Sequence, residues 1–114
     1  MVKVKNIETD EVILNHVEIA DTFYKRFKGL MGRRRLEEGN GMKINPCNSI
    51  HCFFMKIPID VLFVSKDHVV VKVISDMKPW KISPLVRGAQ YVIEANGNEL
   101  SGKIGAGDRL EYLD

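Results

Sequence analysis

Cysteine is scarce in this chain: Cys47 and Cys52 are the only two among 114 residues. Two thiols do not make the disulfide framework of a small exported domain. Their spacing, Cys47-x4-Cys52, would also close a very short loop, so reduced thiols are expected. Net charge is small as well, at +2, which excludes a partner held by bulk charge alone. No long hydrophobic run is present. The longest nearly uncharged stretch, residues 44–55, is too short to span a bilayer and too polar at Asn45, Asn48, Ser49 and His51. The opening Met1-Val2-Lys3-Val4-Lys5-Asn6 alternates and contains no apolar core of a signal peptide. It reads as a strand, and the cytoplasm is the expected location. Repeats, low-complexity segments and a linker are missing too.

What remains is ordinary globular composition, 45% hydrophobic and 28% charged. The length fits a single domain over residues 1–114. Such a chain buries roughly two thirds of its unfolded surface, enough for a core without staples.

Hydrophobic periodicity predicts mostly strands. Residues 2–7 and 12–20 form an N-terminal hairpin around the turn Glu8-Thr9-Asp10-Glu11. Residues 22–31 carry the one good helical pattern, with Phe23, Phe27, Leu30 and Met31 on one face. Asp21 or Thr22 can cap its start and Gly32 its end. Met42-Lys43-Ile44 is short and extended, and residues 51–55 read as a strand. Residues 59–64 and 69–74 read as a hairpin across Ser65-Lys66-Asp67-His68. Within it Val61-Leu62-Phe63-Val64 lacks polar alternation and should be buried on both faces. Residues 76–88 are a loop with Pro79, Trp80 and Pro84. Residues 91–95 form another strand, residues 100–104 a helical turn, and residues 109–113 the last strand. The expected class is α+β, mainly antiparallel: a small barrel-like or two-sheet domain of about seven or eight short strands with one main helix.

Residues 47–64 are the most informative segment. They set two thiols, an imidazole and a carboxylate into an apolar run. Cys47, His51 and Cys52 are soft-metal ligand types, but a structural zinc needs four ligands and close Cys pairs, so no metal is expected. A thiol nucleophile lacks a flanking signature, and neighbouring residues on a strand face apart. Asp60 leads into a buried strand and must be hydrogen-bonded, paired or shifted in pKa. It is a pocket acid or, on the plainer reading, caps the turn after Pro58 with backbone N–H groups. Glu94 poses the same question, and its plainer reading is the solvent side of an edge strand. Asp108 should bond the turn before the last strand. Trp80 faces a ligand or lids one end of the barrel. The basic cluster Lys25, Arg26, Lys28, Arg33, Arg34, Arg35 could meet phosphates. A solvated helix face followed by Glu37 and Glu38 is the plainer account.

Several segments together resemble one family. They are Arg26-Phe27-Lys28-Gly29-Leu30-Met31, Gly41-Met42, and Ser49-Ile50-His51-x-Phe53-Phe54-Met55-x-x-Pro58-Ile59-Asp60-Val61-x-Phe63. Tyr91-Val92-Ile93-Glu94 and Gly105-x-Gly107-Asp108 complete the set. The chain is similar over nearly its whole length to the family catalogued only as a domain of unknown function, number 192. The resemblance implies a compact β-rich α+β fold and no established reaction. Cys47 and Cys52 fall outside its motifs. Some family members resemble exported or lipid-anchored proteins, and this chain is expected to be a stand-alone cytoplasmic form.

The leading expectation is a non-enzymatic binding module with a partly apolar pocket, whose candidate residues are His51, Met55, Asp60, Trp80 and Glu94. The alternatives are a small enzyme using Asp60 or Glu94 with His51 as general acid and base, and a nucleic-acid accessory acting through residues 25–35. The expected partner is a small molecule or a protein. No cofactor and no membrane association are expected, nucleic acid is disfavoured, and oligomeric state is open.

Overall fold

The computed structural model describes residues 2–33, 36–52 and 55–114, with backbone alone for 23, 24 and 27. Among these residues seven strands form one sheet: β1 (Val2–Asn6), β2 (Glu11–Ala20), β3 (Asn40–Ile44), β4 (Ile59–Val64), β5 (Val70–Met77), β6 (Tyr91–Asn96) and β7 (Leu110–Leu113). Their order is β5-β4-β6-β3-β2-β1-β7. Each neighbouring pair is antiparallel except β2–β3, which is parallel. The sheet curls until its two edges touch at one corner. There Val69 bridges Arg109. The Val70 N–H donates to the Asp108 carbonyl at 2.8 Å and the Leu110 N–H to that of His68 at 2.8 Å. The result is a curled half-barrel.

The expected α+β class with one main helix is therefore wrong: the protein is nearly all β. Between β2 and β3 the described residues include one six-residue helical segment, α1 (Phe23–Lys28). Thr22 caps it as expected, its hydroxyl accepting the Lys25 N–H at 3.2 Å. Its end comes three residues before the expected Gly32, at Gly29, whose φ of 48° leaves the helical region. The Gly29 N–H closes the last helical bond, to the Lys25 carbonyl. Fewer than two turns cannot sustain a helix unaided, so α1 persists by packing. The side chains of Phe23 and Phe27, expected on its apolar face, lie outside the described residues.

A second correction concerns the strand expected at residues 51–55. The described part makes one isolated bridge, His51 to Ile82. Phe53 and Phe54 lie outside the described residues. The reason is competition from a loop. The Cys52 N–H donates to the Lys81 carbonyl, the Ser83 N–H to that of Ile50 and the Val86 N–H to that of Asn48. Two connecting segments thus satisfy each other over the sheet without joining it.

Both faces of the sheet are covered. One cluster, with Val4, Leu14, Val17, Leu62, Val64, Ile93 and Leu110, fills the curl. The other, with Ile44, Ile59, Val61, Phe63 and Val92, lies on the opposite face under Leu30, Ile50, Met55 and Val86 of the connecting segments. Alternate residues of β4 and β6 therefore enter different cores, as period two requires. Each fully buried Val, Leu, Ile or Phe contributes about 1.5–3 kcal/mol. Lys43 sits at one end of the curl, its ammonium 4.5 Å from the ring centres of both Tyr91 and Tyr112. Desolvation holds its pKa below the ordinary lysine value.

Asp60, 1% exposed, sits on the curl side of β4. One oxygen accepts the backbone N–H groups of Asp76 at 2.8 Å and Asn98 at 2.7 Å. The other accepts that of Leu100 at 3.0 Å. Asp76 and Asn98 both have positive φ, 52° and 65°, a strained geometry that the carboxylate helps hold. So the plainer reading of Asp60 survives in kind, but its donors come from β5 and the β6–β7 connection, not from the turn after Pro58. Asp108 behaves as expected, accepting the Gly105 N–H at 2.9 Å, and it also accepts from the Asn6 amide at 3.0 Å.

Asp60→Asn turns one acceptor oxygen into a donor that faces backbone N–H groups. It should destabilise the fold by about 2–4 kcal/mol, read as a lower denaturant midpoint at unchanged slope. A loss under about 1 kcal/mol would show that these three bonds are replaceable.

Candidate functional site

A cavity of about 80 Å³ lies on the sheet face opposite Asp60. Arg26 and Lys28 of α1, the turn at residues 29–31, Ile44 of β3, Cys47, residues 49–51, Met55 and Glu94 line it. Three chain segments distant in sequence converge there because α1 ends early. At Gly29 the chain turns down onto the sheet. A Cβ there would meet Ile44 Cδ1 at 3.5 Å and Glu94 Oε1 at 3.7 Å. From the other side β3 packs against β6 at Gly41, where a Cβ would lie 2.7 Å from the Glu94 carbonyl oxygen. Only glycine allows that approach.

Glu94 is the unusual member. It is 4% exposed, in a central strand between β3 and β4. Its cross-strand partners are Met42 and Val61, so neither neighbour offers a charge or a hydrogen bond. Among the described residues nothing donates to its carboxyl. Burial pushes its pKa from 4.5 to about 7, because desolvation penalises the charged form. A neutral acid near neutral pH, opening on a cavity, can donate one hydrogen bond or release one proton.

The thiols point away from nucleophilic chemistry. Cys47 and Cys52 are free. Burial pushes both upward, Cys52 to about 11, and the nearby Glu94 charge adds to the effect. A reactive cysteine needs the opposite shift. Cys47 donates its S–H to the Ser49 carbonyl at 3.0 Å. Among the described residues no three His, Cys, Asp or Glu side chains are grouped to hold a metal ion.

Of the five expected site residues, the fold gathers His51, Met55 and Glu94 on one cavity. Glu94 is not on an edge strand, contrary to its plainer reading. Asp60 pairs across with Ala95 and faces the other side of the sheet, so the two carboxylates do not share a site. Trp80 is 59% exposed and is not part of the cavity lining. Its backbone N–H donates to the Cys52 carbonyl at 2.7 Å. Sequence reasoning missed Arg26, Lys28 and Ile44 as lining residues. The Arg-Phe-Lys-Gly-Leu-Met segment was a visible signal, but its meeting with Glu94 is long-range. On the far side of α1, Arg33 is paired with Glu18 at 2.8 Å. Arg34 and Arg35 of the basic cluster lie outside the described residues.

Comparison with known proteins assigns this architecture to a family. The profile of DUF192, described as an uncharacterized ACR, matches residues 4–112. A UPF0127 protein of Pyrococcus furiosus is 33% identical over 94% of this chain and 95% of its own length. One from Pyrococcus abyssi is 38% identical over 85% of this chain and 86% of its own. A UPF0127 protein of Thermococcus sibiricus is longer, and the match spans 56% of it. Among solved structures, a protein of unknown function from Novosphingobium aromaticivorans superposes with a TM-score of 0.80. It is 27% identical, over 96% of this chain and 82% of that one. A Sinorhizobium meliloti protein superposes with a TM-score of 0.82 at 24% identity, over 97% of this chain and 91% of that one, a likeness of fold alone. The chain belongs to the DUF192 family, an uncharacterised group whose curated members carry the name UPF0127. Among the described residues no helix is long and apolar enough to cross a membrane.

Glu94 sets a pH dependence of stability. Its folded pKa of about 7 exceeds the ordinary 4.5. The folded state therefore keeps a proton that the unfolded chain releases, and stability falls as pH rises from about 4.5 to about 7. The loss should reach roughly 3 kcal/mol and level off above that window. Glu94→Gln should remove this slope and make the protein more stable than the parent at pH about 8. Equal pH slopes in denaturant unfolding of parent and variant would show the carboxyl to be ordinarily ionised.

Proposed function

We propose that this protein is a small-ligand-binding module, without catalytic activity, whose site is the cavity between α1 and the sheet. The observation that carries the reading is the Glu94 carboxyl. It is buried, lines the cavity, and has no hydrogen-bond partner among the described residues. No fully buried side-chain N or O atom among the described residues lacks a partner, so the Glu94 carboxyl meets the cavity and is open to a bond from what enters it. A ligand supplies that bond. Apolar walls from Leu30, Ile44, Ile50 and Met55 supply the rest of the contact surface. Free thiols accord with action in the reducing cytoplasm.

General acid–base catalysis by Glu94 with His51 is the second reading, favoured by the acid's pKa of about 7. It has lost its other acid, because Asp60 is committed to backbone N–H groups. Recognition of nucleic acid through residues 25–35 is the weaker reading, since Arg33 is paired with Glu18 and no nucleic-acid-binding motif accompanies the cluster.

A fragment screen by amide NMR at neutral pH tests the leading reading. Hits should shift the resonances of residues 29–31, 47–51 and 94 together, and Ile50→Trp should abolish those shifts by filling the cavity. Hits that cluster elsewhere, or none from a broad library, would remove the site.

A further inference from the structure

Which chemical class the cavity takes follows from its charges, and this step rests on the binding reading above. Arg26 and Lys28 line the cavity from α1. Among the described residues no carboxylate pairs with either. Arg26 donates one N–H to the Asp21 carbonyl at 3.3 Å, which leaves the rest of its fork open. Facing Glu94 from the segment after β3 are Cys47, His51 and, close enough for its charge to be felt, Cys52. From β3 come Met42 and Ile44, and from β4 comes Val61, none of them charged. Two cations thus share a cavity lining with one acid that burial keeps from ionising readily.

We propose that the cavity receives the carboxylate end of a short apolar acid, held between the Arg26 guanidinium and the Glu94 carboxyl. Glu94 donates its O–H to one ligand oxygen, and Arg26 donates charge-assisted N–H bonds to the ligand. Lys28 adds attraction at longer range. An ammonium ligand would satisfy Glu94 but would meet two cations on the way in. A neutral amide would leave Arg26 uncompensated. The volume, about 80 Å³, admits roughly half a dozen water-sized atoms, the size of butyrate. The carboxylate could belong to a free acid or to the C-terminus of a peptide.

Binding then requires a protonated Glu94. With a pKa of about 7, the protonated fraction falls about tenfold between pH 6 and pH 8, and affinity for the acid should fall with it. Butyrate and butylammonium, titrated into the protein at both pH values and followed by amide NMR, decide the matter. The expected result is butyrate binding at residues 29–31, 47–51 and 94, about tenfold tighter at pH 6. Glu94→Gln keeps an N–H donor and should flatten that pH profile. Arg26→Ala should weaken butyrate at both pH values. Acetyl-alanyl-alanine and its C-terminal amide separate the sources. A free-acid peptide that outbinds butyrate assigns a peptide end, butyrate binding alone assigns a free acid, and either supports the proposal. Butylammonium binding that tightens with rising pH would overturn the carboxylate and leave the cavity reading standing. No shift with either compound overturns the carboxylate too, and an empty fragment screen beside it would remove the cavity reading as well.

Discussion

The organising constraint of this fold is the burial of β4 and β6 on both faces. A strand with one wet face can send its polar side chains to water. These two strands cannot, because the curl closes one side and the connecting segments cover the other. Two carboxyls lie on them, and each meets the constraint differently. Asp60 remains tied to the backbone of β5 and of the β6–β7 connection, which converts a desolvation cost into a clamp. Glu94 has no such donors and meets its cost by holding a proton. The sheet separates the two, so architecture and chemistry can vary independently.

The site depends on how little of the region above the sheet is regular structure. A longer helix at residues 22–31 would have run past Glu94. The stop at Gly29 instead drops Leu30 into the core and leaves Arg26 and Lys28 at the cavity wall. Residues 46–52 and 78–86 then brace one another with backbone hydrogen bonds over the same face. Arg26, His51 and Glu94 thus come from three separate segments of the chain, each held by bonds that do not involve the site.

Much of the strand content was legible because its signals are local. The unbroken apolar run Val61-Leu62-Phe63-Val64 and the two hairpins needed only neighbouring residues. The helix was overestimated because periodicity continued through Leu30 and Met31, while the decisive event is the positive φ at Gly29, where the chain lies close to Ile44 and Glu94. His51, Met55 and Glu94 were visible as polar or soft residues in apolar surroundings. Their convergence with Arg26 was not, since it arises from pairing between segments far apart in sequence. Glu94 shows the same limit. Its residue type suits a solvent-facing edge, and only the sheet order puts it at the centre. The three donors to Asp60 lie 16, 38 and 40 residues away, beyond any pattern a local window detects.

The first and last strands are neighbours: β1 pairs with β7, and Asn6 reaches across to Lys103 and Asp108. During synthesis one flank of β1 therefore has no partner until β7 has been made. Until then β1 is an open edge beside β2, and the corner that joins Val69 to Arg109 cannot close. Lys3, exposed on β1, gives that waiting edge a charge that discourages a second chain from pairing with it.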